Sequence, residues 1–201
     1  DIGCYTLGCL PPLSAIDTTF CMGASIGNAT GFAKAGIDKV VAVIGDGTFL
    51  HSGLPSLMSA VYNRVPTTMI LLDNRTTGMT GHQGNPGTGF TLQMQEVPPL
   101  ELEPLVRALG IERVRTVPAF DVKALDDTLK EFLKAEGPSV LIARDECALL
   151  PSARACQPVG AGPRACRAHR LHPGSRAGSP PGHRRGSGST SGTDIPWQRA
   201  A

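Results

Sequence analysis

The chain has 201 residues, 41% of them hydrophobic and 18% charged, with a formal net charge of +2. That sum hides an asymmetry, because residues 1–150 carry −5 whereas residues 151–201 carry +7 from eight Arg, no Lys and the single acid Asp194. The first stretch is long and apolar enough for a real core; with no run of about 18 apolar residues and no signal-peptide pattern, neither a membrane span nor secretion is expected.

In chain order, the first strong element is Val40-Val41-Ala42-Val43-Ile44. Five apolar residues without alternation predict a strand buried on both faces, as in a parallel sheet covered by helices. It ends at Gly45-Asp46-Gly47, whose glycines permit a tight turn and a close backbone approach to a ligand beside a carboxylate. Residues 50–64 predict a crossover helix with Leu54, Leu57, Met58 and Val61 on one face. A second buried strand over residues 68–72 ends at Asp73-Asn74. In a parallel sheet Asp46 and Asn74 therefore emerge at the same carboxyl edge, where such folds bind ligands. Oxygen donors of this kind suit magnesium, which is commonly held by one or two protein groups plus phosphate oxygens. Taken alone, Gly45-Asp46-Gly47 reads equally as a turn after a strand.

Beyond Asn74, residues 84–89 (Gly-Asn-Pro-Gly-Thr-Gly) form either a mobile loop over the site or a plain flexible connection. Residues 102–109 predict a short helix stopped by Gly110, and residues 114–117 a strand. Asp121 can cap a helix whose apolar positions Val122, Leu125, Leu129, Phe132 and Leu133 keep helical spacing up to Gly137. Residues 140–143 supply another strand. This alternation predicts a doubly wound α/β domain, a mostly parallel sheet with helices on both faces, over residues 1–150.

From Pro151 the composition shifts to Arg, Gly, Pro and Ser, with Val159, Leu171, Ile195 and Trp197 as isolated apolar residues. Such a segment cannot offset its conformational entropy and is expected to be a disordered tail over residues 151–201. Its composition is also what a shifted reading frame through GC-rich coding sequence produces. It lacks the aromatic interleaving of a nucleic-acid-binding segment, so no nucleic acid partner is expected. Six cysteines without a secretory context are read as free thiols.

Four ordered segments carry a resemblance: Asp1-Ile2-Gly3-Cys4-Tyr5-Thr6-Leu7-Gly8, Cys21-Met22-Gly23-Ala24-Ser25-Ile26-Gly27, Gly45-Asp46-Gly47-Thr48-Phe49, and Asp73-Asn74-Arg75-Thr76-Thr77-Gly78-Met79-Thr80-Gly81-His82-Gln83. The 28-residue step from Asp46 to Asn74 resembles the diphosphate-binding half of thiamine diphosphate enzymes. Together the segments resemble the large (alpha) subunits of indolepyruvate:ferredoxin oxidoreductases, within the 2-oxoacid:ferredoxin oxidoreductases, over roughly residues 1–150.

The resemblance implies roles residue by residue. Asp46, the Asn74 side chain and the Thr76 carbonyl would bind Mg2+. Gly45, Gly47, Thr48, Gly78 and Thr80 would lie along the diphosphate of thiamine diphosphate, and Cys4, Gly23, Ala24, Ser25 and Met79 near its rings. His82 is the candidate for proton transfer, ahead of His51 at the start of the crossover helix. Glu96 and Glu101 read as ordinary surface or loop carboxylates. The implied reaction is oxidative decarboxylation of an arylpyruvate such as indolepyruvate to arylacetyl-CoA, with coenzyme A as acyl acceptor and ferredoxin as electron acceptor in a reducing cytoplasm. A small (beta) subunit and an upstream pyrimidine-binding domain would be the protein partners, since the chain starts inside a motif at Asp1. Iron–sulfur clusters belong to the full-length family, but Cys156 and Cys166 form no C-x-x-C pair, so none is expected in this chain. The alternatives are a non-oxidative decarboxylase or acetolactate-synthase-like domain, which shares the metal signature, and a non-catalytic cofactor-binding or scaffold fragment.

Overall fold

Aliphatic runs bounded by turn residues become strands, and the amphipathic stretches between them become helices. The computed structural model describes residues 1–150. The expectations for residues 151–201 (a disordered or frame-shifted tail, with Cys156 and Cys166) lie outside the described residues. Strands β1 (Val41–Gly45), β2 (Thr68–Asp73), β3 (Arg113–Pro118) and β4 (Ser139–Arg144) form one sheet in the order β1-β2-β4-β3. Every pairing is parallel, with Gly45 opposite Leu72 and Asp73 opposite Arg144. The carboxyl ends of β1, β2 and β4 therefore share one edge, and the sequence-based order of elements holds.

Alternate side chains of each strand reach opposite faces. On one face Ala42, Ile44, Met69, Leu71, Val114, Val140 and Ile142 pack in a single core with three helices. These are α1 (Ala24–Lys34), α3 (Leu54–Tyr62) and α4 (Leu102–Ala108), which contribute Ile26, Leu57, Ala60 and Val106 among others. On the other face Val117 and Leu141 meet Phe132 of α5 (Val122–Phe132), flanked by Ala124, Leu125 and Leu129. The Asp121 carboxylate accepts the Ala124 amide at 3.0 Å and caps α5 as its sequence predicts. No helix among the described residues is long and apolar enough to cross a membrane.

Two sequence-based details are corrected. Burial on both faces holds for β4, where Ser139 to Ala143 are all buried, but not for β1. Val41 and Val43 are half-buried and line, with Ile70 and Phe32, a cavity of about 690 Å³ on the α5 side of the sheet. The crossover helix also begins earlier than residue 50. The chain passes from β1 directly into a short helix α2 (Asp46–Thr48), then a π-helical turn (Phe49–Gly53), then α3. Leu54, Leu57 and Val61 face the core as their spacing predicts, joined by Ala60, whereas Met58 is 55% exposed.

Candidate cofactor site

The Gly45-Asp46-Gly47 sequence is a strand-to-helix junction rather than a tight turn. Gly45 is extended, with φ −80° and ψ 157°, and Asp46 is the first helical residue. Gly47 earns its place by close approach: a methyl group there would collide with Thr77 Oγ1 and come within 3.1 Å of Asn85 Nδ2. The amides of the first helical turn point back along the axis with the positive end of its dipole, the arrangement that receives anions.

Asp46 is only 3% exposed. Its Oδ1 accepts the Gly47 amide at 2.6 Å, while Oδ2 is buried with no hydrogen-bond partner. Burial pushes this carboxyl up to about 6, opposed by the Gly47 amide and reinforced by the negative charge of Asp73. The Arg75 and Thr76 amides, which make no hydrogen bond to Asp46 Oδ2, still favour the carboxylate through their dipoles. An oxygen stripped of water and left without a donor costs free energy unless a cation meets it. Thr48, 8% exposed, follows one residue beyond Gly47.

One strand over, Asn74 Oδ1 accepts the Thr76 amide at 3.2 Å, a side-chain turn that leads the chain around Arg75 in the left-handed region at φ 59°. The Asp46 carboxylate, the Asn74 amide and the buried Thr76 thus gather at the ends of β1 and β2. Among the described residues no cluster of three or more His, Cys, Asp or Glu could hold a metal. A donor set of one carboxylate, one carboxamide and a backbone carbonyl has the hard-oxygen character that Mg2+ takes, with substrate oxygens completing the shell. The unpartnered Asp46 Oδ2 fits that ion.

The loop that follows is braced. Thr77 and Gln83 exchange two backbone hydrogen bonds, at 3.0 and 3.2 Å, and Thr80 Oγ1 donates to Gln83 Oε1 at 2.6 Å. Residues 84–89, expected to be mobile or plainly flexible, are instead tied down. Asn85 Nδ2 donates to Thr77 Oγ1 at 3.4 Å, Arg75 Nη1 to the Gly87 carbonyl at 3.3 Å, and the Leu100 amide to the Pro86 carbonyl at 2.9 Å.

Behind the loop lies a charge network that sequence reasoning missed. Asp73, 2% exposed, is held by Arg144 Nε at 2.6 Å and Arg75 Nε at 3.5 Å. Glu101 joins the same two guanidiniums, at 3.1 Å to Arg75 Nη2 and 3.2 Å to Arg144 Nη2. Glu101 is therefore a cross-link between α4 and the strand ends, more than the ordinary surface carboxylate its sequence context suggests. Only the adjacency of β2 and β4 reveals this.

Other expected site residues fall into separate groups. Gly23, at φ +89°, starts α1, and a side chain there would strike Ser52 Oγ. That hydroxyl lies 3.4 Å from both the Met22 and the Thr48 carbonyls, and its contact with Met22 links the start of α1 to the helical stretch that follows Asp46. The Ser25 amide is capped by Asp1 Oδ1 at 2.6 Å. Gly78 lies near Asn74 Nδ2. Cys4 and Met79 are exposed, as is His51, and the described residues show no hydrogen bond from these side chains to Asp46 or Asn74. His82 meets Cys147, with Nε2 at 3.7 Å from Sγ.

Comparison with known proteins agrees with this geometry. The thiamine pyrophosphate enzyme C-terminal TPP-binding domain family matches residues 1–143. The chain is 47% identical over 150 residues to the indolepyruvate oxidoreductase subunit IorA of Archaeoglobus fulgidus, covering 75% of this chain and 24% of that protein. It is 46% identical over 165 residues to the IorA subunit of Thermococcus kodakarensis, covering 74% of this chain and 25% of the relative. The chain thus spans about a quarter of the length of these curated relatives. A 2-oxoglutarate:ferredoxin oxidoreductase from Magnetococcus marinus superposes with a TM-score of 0.55 at 23% identity over 63% of this chain and 46% of that chain, a likeness of fold. With a sheet edge that carries Asp46 and Asn74 and a family match across nearly all the described residues, the chain belongs to the thiamine pyrophosphate enzymes, through their C-terminal TPP-binding domain.

Proposed function

We propose that residues 1–150 form the thiamine diphosphate- and Mg2+-binding domain of an arylpyruvate:ferredoxin oxidoreductase large subunit, acting in the cytoplasm with coenzyme A, ferredoxin, a small subunit and a pyrimidine-binding domain. The observation that carries this reading is the buried, unpartnered Asp46 Oδ2 beside Asn74 and Thr76. The IorA relatives favour the oxidative reaction over a non-oxidative decarboxylase.

In this reading Asp46, the Asn74 side chain and the Thr76 carbonyl hold the metal, and the amides at Gly47 and Gly78 with Thr48 and Thr80 receive the diphosphate. Gly45 sets the junction that aims the helix, while Cys4, Gly23, Ala24, Ser25 and Met79 border the rings. When bound, thiamine diphosphate supplies the carbanion that adds to a 2-oxoacid and the electron sink that drives loss of carbon dioxide. This chain's part is to bind and orient. A bound metal would offset the cost of burying the Asp46 carboxylate, so cofactor loading would be linked to Asp46 ionisation. His82 is the loop side chain that this reading assigns to proton transfer.

Calorimetric titration of thiamine diphosphate into the chain, with Mg2+ or with a chelator, tests this. Binding should require Mg2+ and vanish in Asp46→Ala. Metal-independent binding that survives the substitution would contradict the assignment.

A further inference from the structure

Cys147 has no part in the proposed function, yet the fold holds it in place from both sides. β4 is extended by the Asp145 amide bonding to the Asp73 carbonyl at 3.1 Å, and Asp145 Oδ2 accepts the Phe120 amide at 3.2 Å. The Leu150 amide then closes a turn onto the Cys147 carbonyl at 2.9 Å. From 65 positions away in sequence, His82 brings Nε2 to 3.7 Å from the thiol sulfur. His82 takes a left-handed backbone, φ 61°, directly after Gly81 at φ 114°, inside the segment closed by Thr77 and Gln83.

Both groups are half-buried, so the thiol is held and still reachable. The sulfur also lies against Gly78. A Cβ on Gly78 would sit 3.8 Å from Cys147 Sγ and 3.7 Å from Asn74 Nδ2. Bulk added to the sulfur on that side presses on the segment that runs from Asn74 to Gly78.

We propose that Cys147 and His82 form a reactive thiol–imidazole pair, a modification site for soft electrophiles whose occupation displaces the Asn74–Gly78 loop. In the reaction with a maleimide the sulfur forms a C–S bond to one alkene carbon, the thiol proton passes to His82 Nε2, and the other alkene carbon takes up a proton. No oxidant is needed and no group leaves. His82 acts as the base that frees the nucleophile. The consequence for cofactor binding rests on the proposed function, whereas the reactivity of the pair does not.

The test is timed labelling of the full chain with N-ethylmaleimide, with adducts assigned by peptide mass spectrometry. The exposed Cys4 and Cys21 serve as internal references. Cys147 should react faster than both despite its lower exposure, and His82→Gln should slow it by about tenfold while the references keep their rates. A Cys147 rate below both references in the unsubstituted chain would overturn the proposal, and that comparison needs no variant. An unchanged Cys147 rate in His82→Gln or His82→Asn, with steady references, would overturn it as well. Chain labelled only until Cys147 has reacted should then lose Mg2+-dependent thiamine diphosphate binding, whereas Cys147→Ser exposed to the reagent for the same time should retain it; equal loss in both would overturn the link to the loop. If labelling is fast but the unlabelled chain binds no cofactor, the proposed function fails and the reactive pair stands.

Discussion

Asp46 and Asp73 end adjacent strands, are buried to the same degree, and live in opposite electrostatic situations. Asp73 is saturated by the guanidiniums of Arg75 and Arg144. Asp46 has one amide on Oδ1, nothing on Oδ2, and a carboxyl pushed up to about 6. Two carboxylates on one sheet edge thus divide into one that the fold neutralises with its own cations and one that it leaves for a cation from solution. In the proposed function the paired residue is structure and the unpaired one binds the metal.

The largest expected effect breaks the paired side. Asp73→Ala leaves Arg75 and Arg144 with only the solvent-exposed Glu101 between them and should cost about 4 kcal/mol of stability, read by urea denaturation. The unpaired side should respond with the opposite sign. Asp46→Asn removes a carboxylate that is costly to bury, so the cofactor-free variant should be more stable than the parent at pH 7 by up to about 3 kcal/mol. Below about pH 3.8 the carboxyl is protonated whether folded or unfolded, and the gain should disappear. Between about 3.8 and 6 only the folded form holds the proton, so the parent's stability relative to Asp46→Asn falls as pH rises through that window.

Smaller changes sharpen the contrast. Gly47→Ala forces Thr77 and Asn85 aside and should cost about 2 kcal/mol, with weaker thiamine diphosphate binding in the same titration. Glu101→Gln removes the solvent-exposed end of the Asp73 network and should lower stability by only about 0.5 kcal/mol, measured as a small shift of the urea midpoint.

Much of this was legible in the sequence, because aliphatic runs and turn residues report local structure directly. The alternation of strand and helix, the Asp121 cap and the convergence of Asp46 with Asn74 all follow from patterns within one segment or one crossover. What stayed hidden depends on which strands become neighbours. Arg144 and Asp73 meet because β4 lies beside β2, and Cys147 reaches His82 for the same reason. The half-covered face of β1 is likewise a matter of strand order, since an apolar run reads the same at the edge of a sheet as in its middle. The early start of the crossover helix is not legible either, because no residue type announces a π-helical turn.

The central claim is that Asp46 is buried without a cation of its own. Carbon-13 NMR titration of aspartate carboxyl groups, with Asp46 assigned through Asp46→Asn, measures this directly. The cofactor-free chain should show Asp46 titrating near pH 6, and Mg2+ with thiamine diphosphate should drive it below its ordinary value of about 3.8. An Asp46 carboxyl that titrates near 3.8 in the cofactor-free chain and ignores Mg2+ would contradict the account.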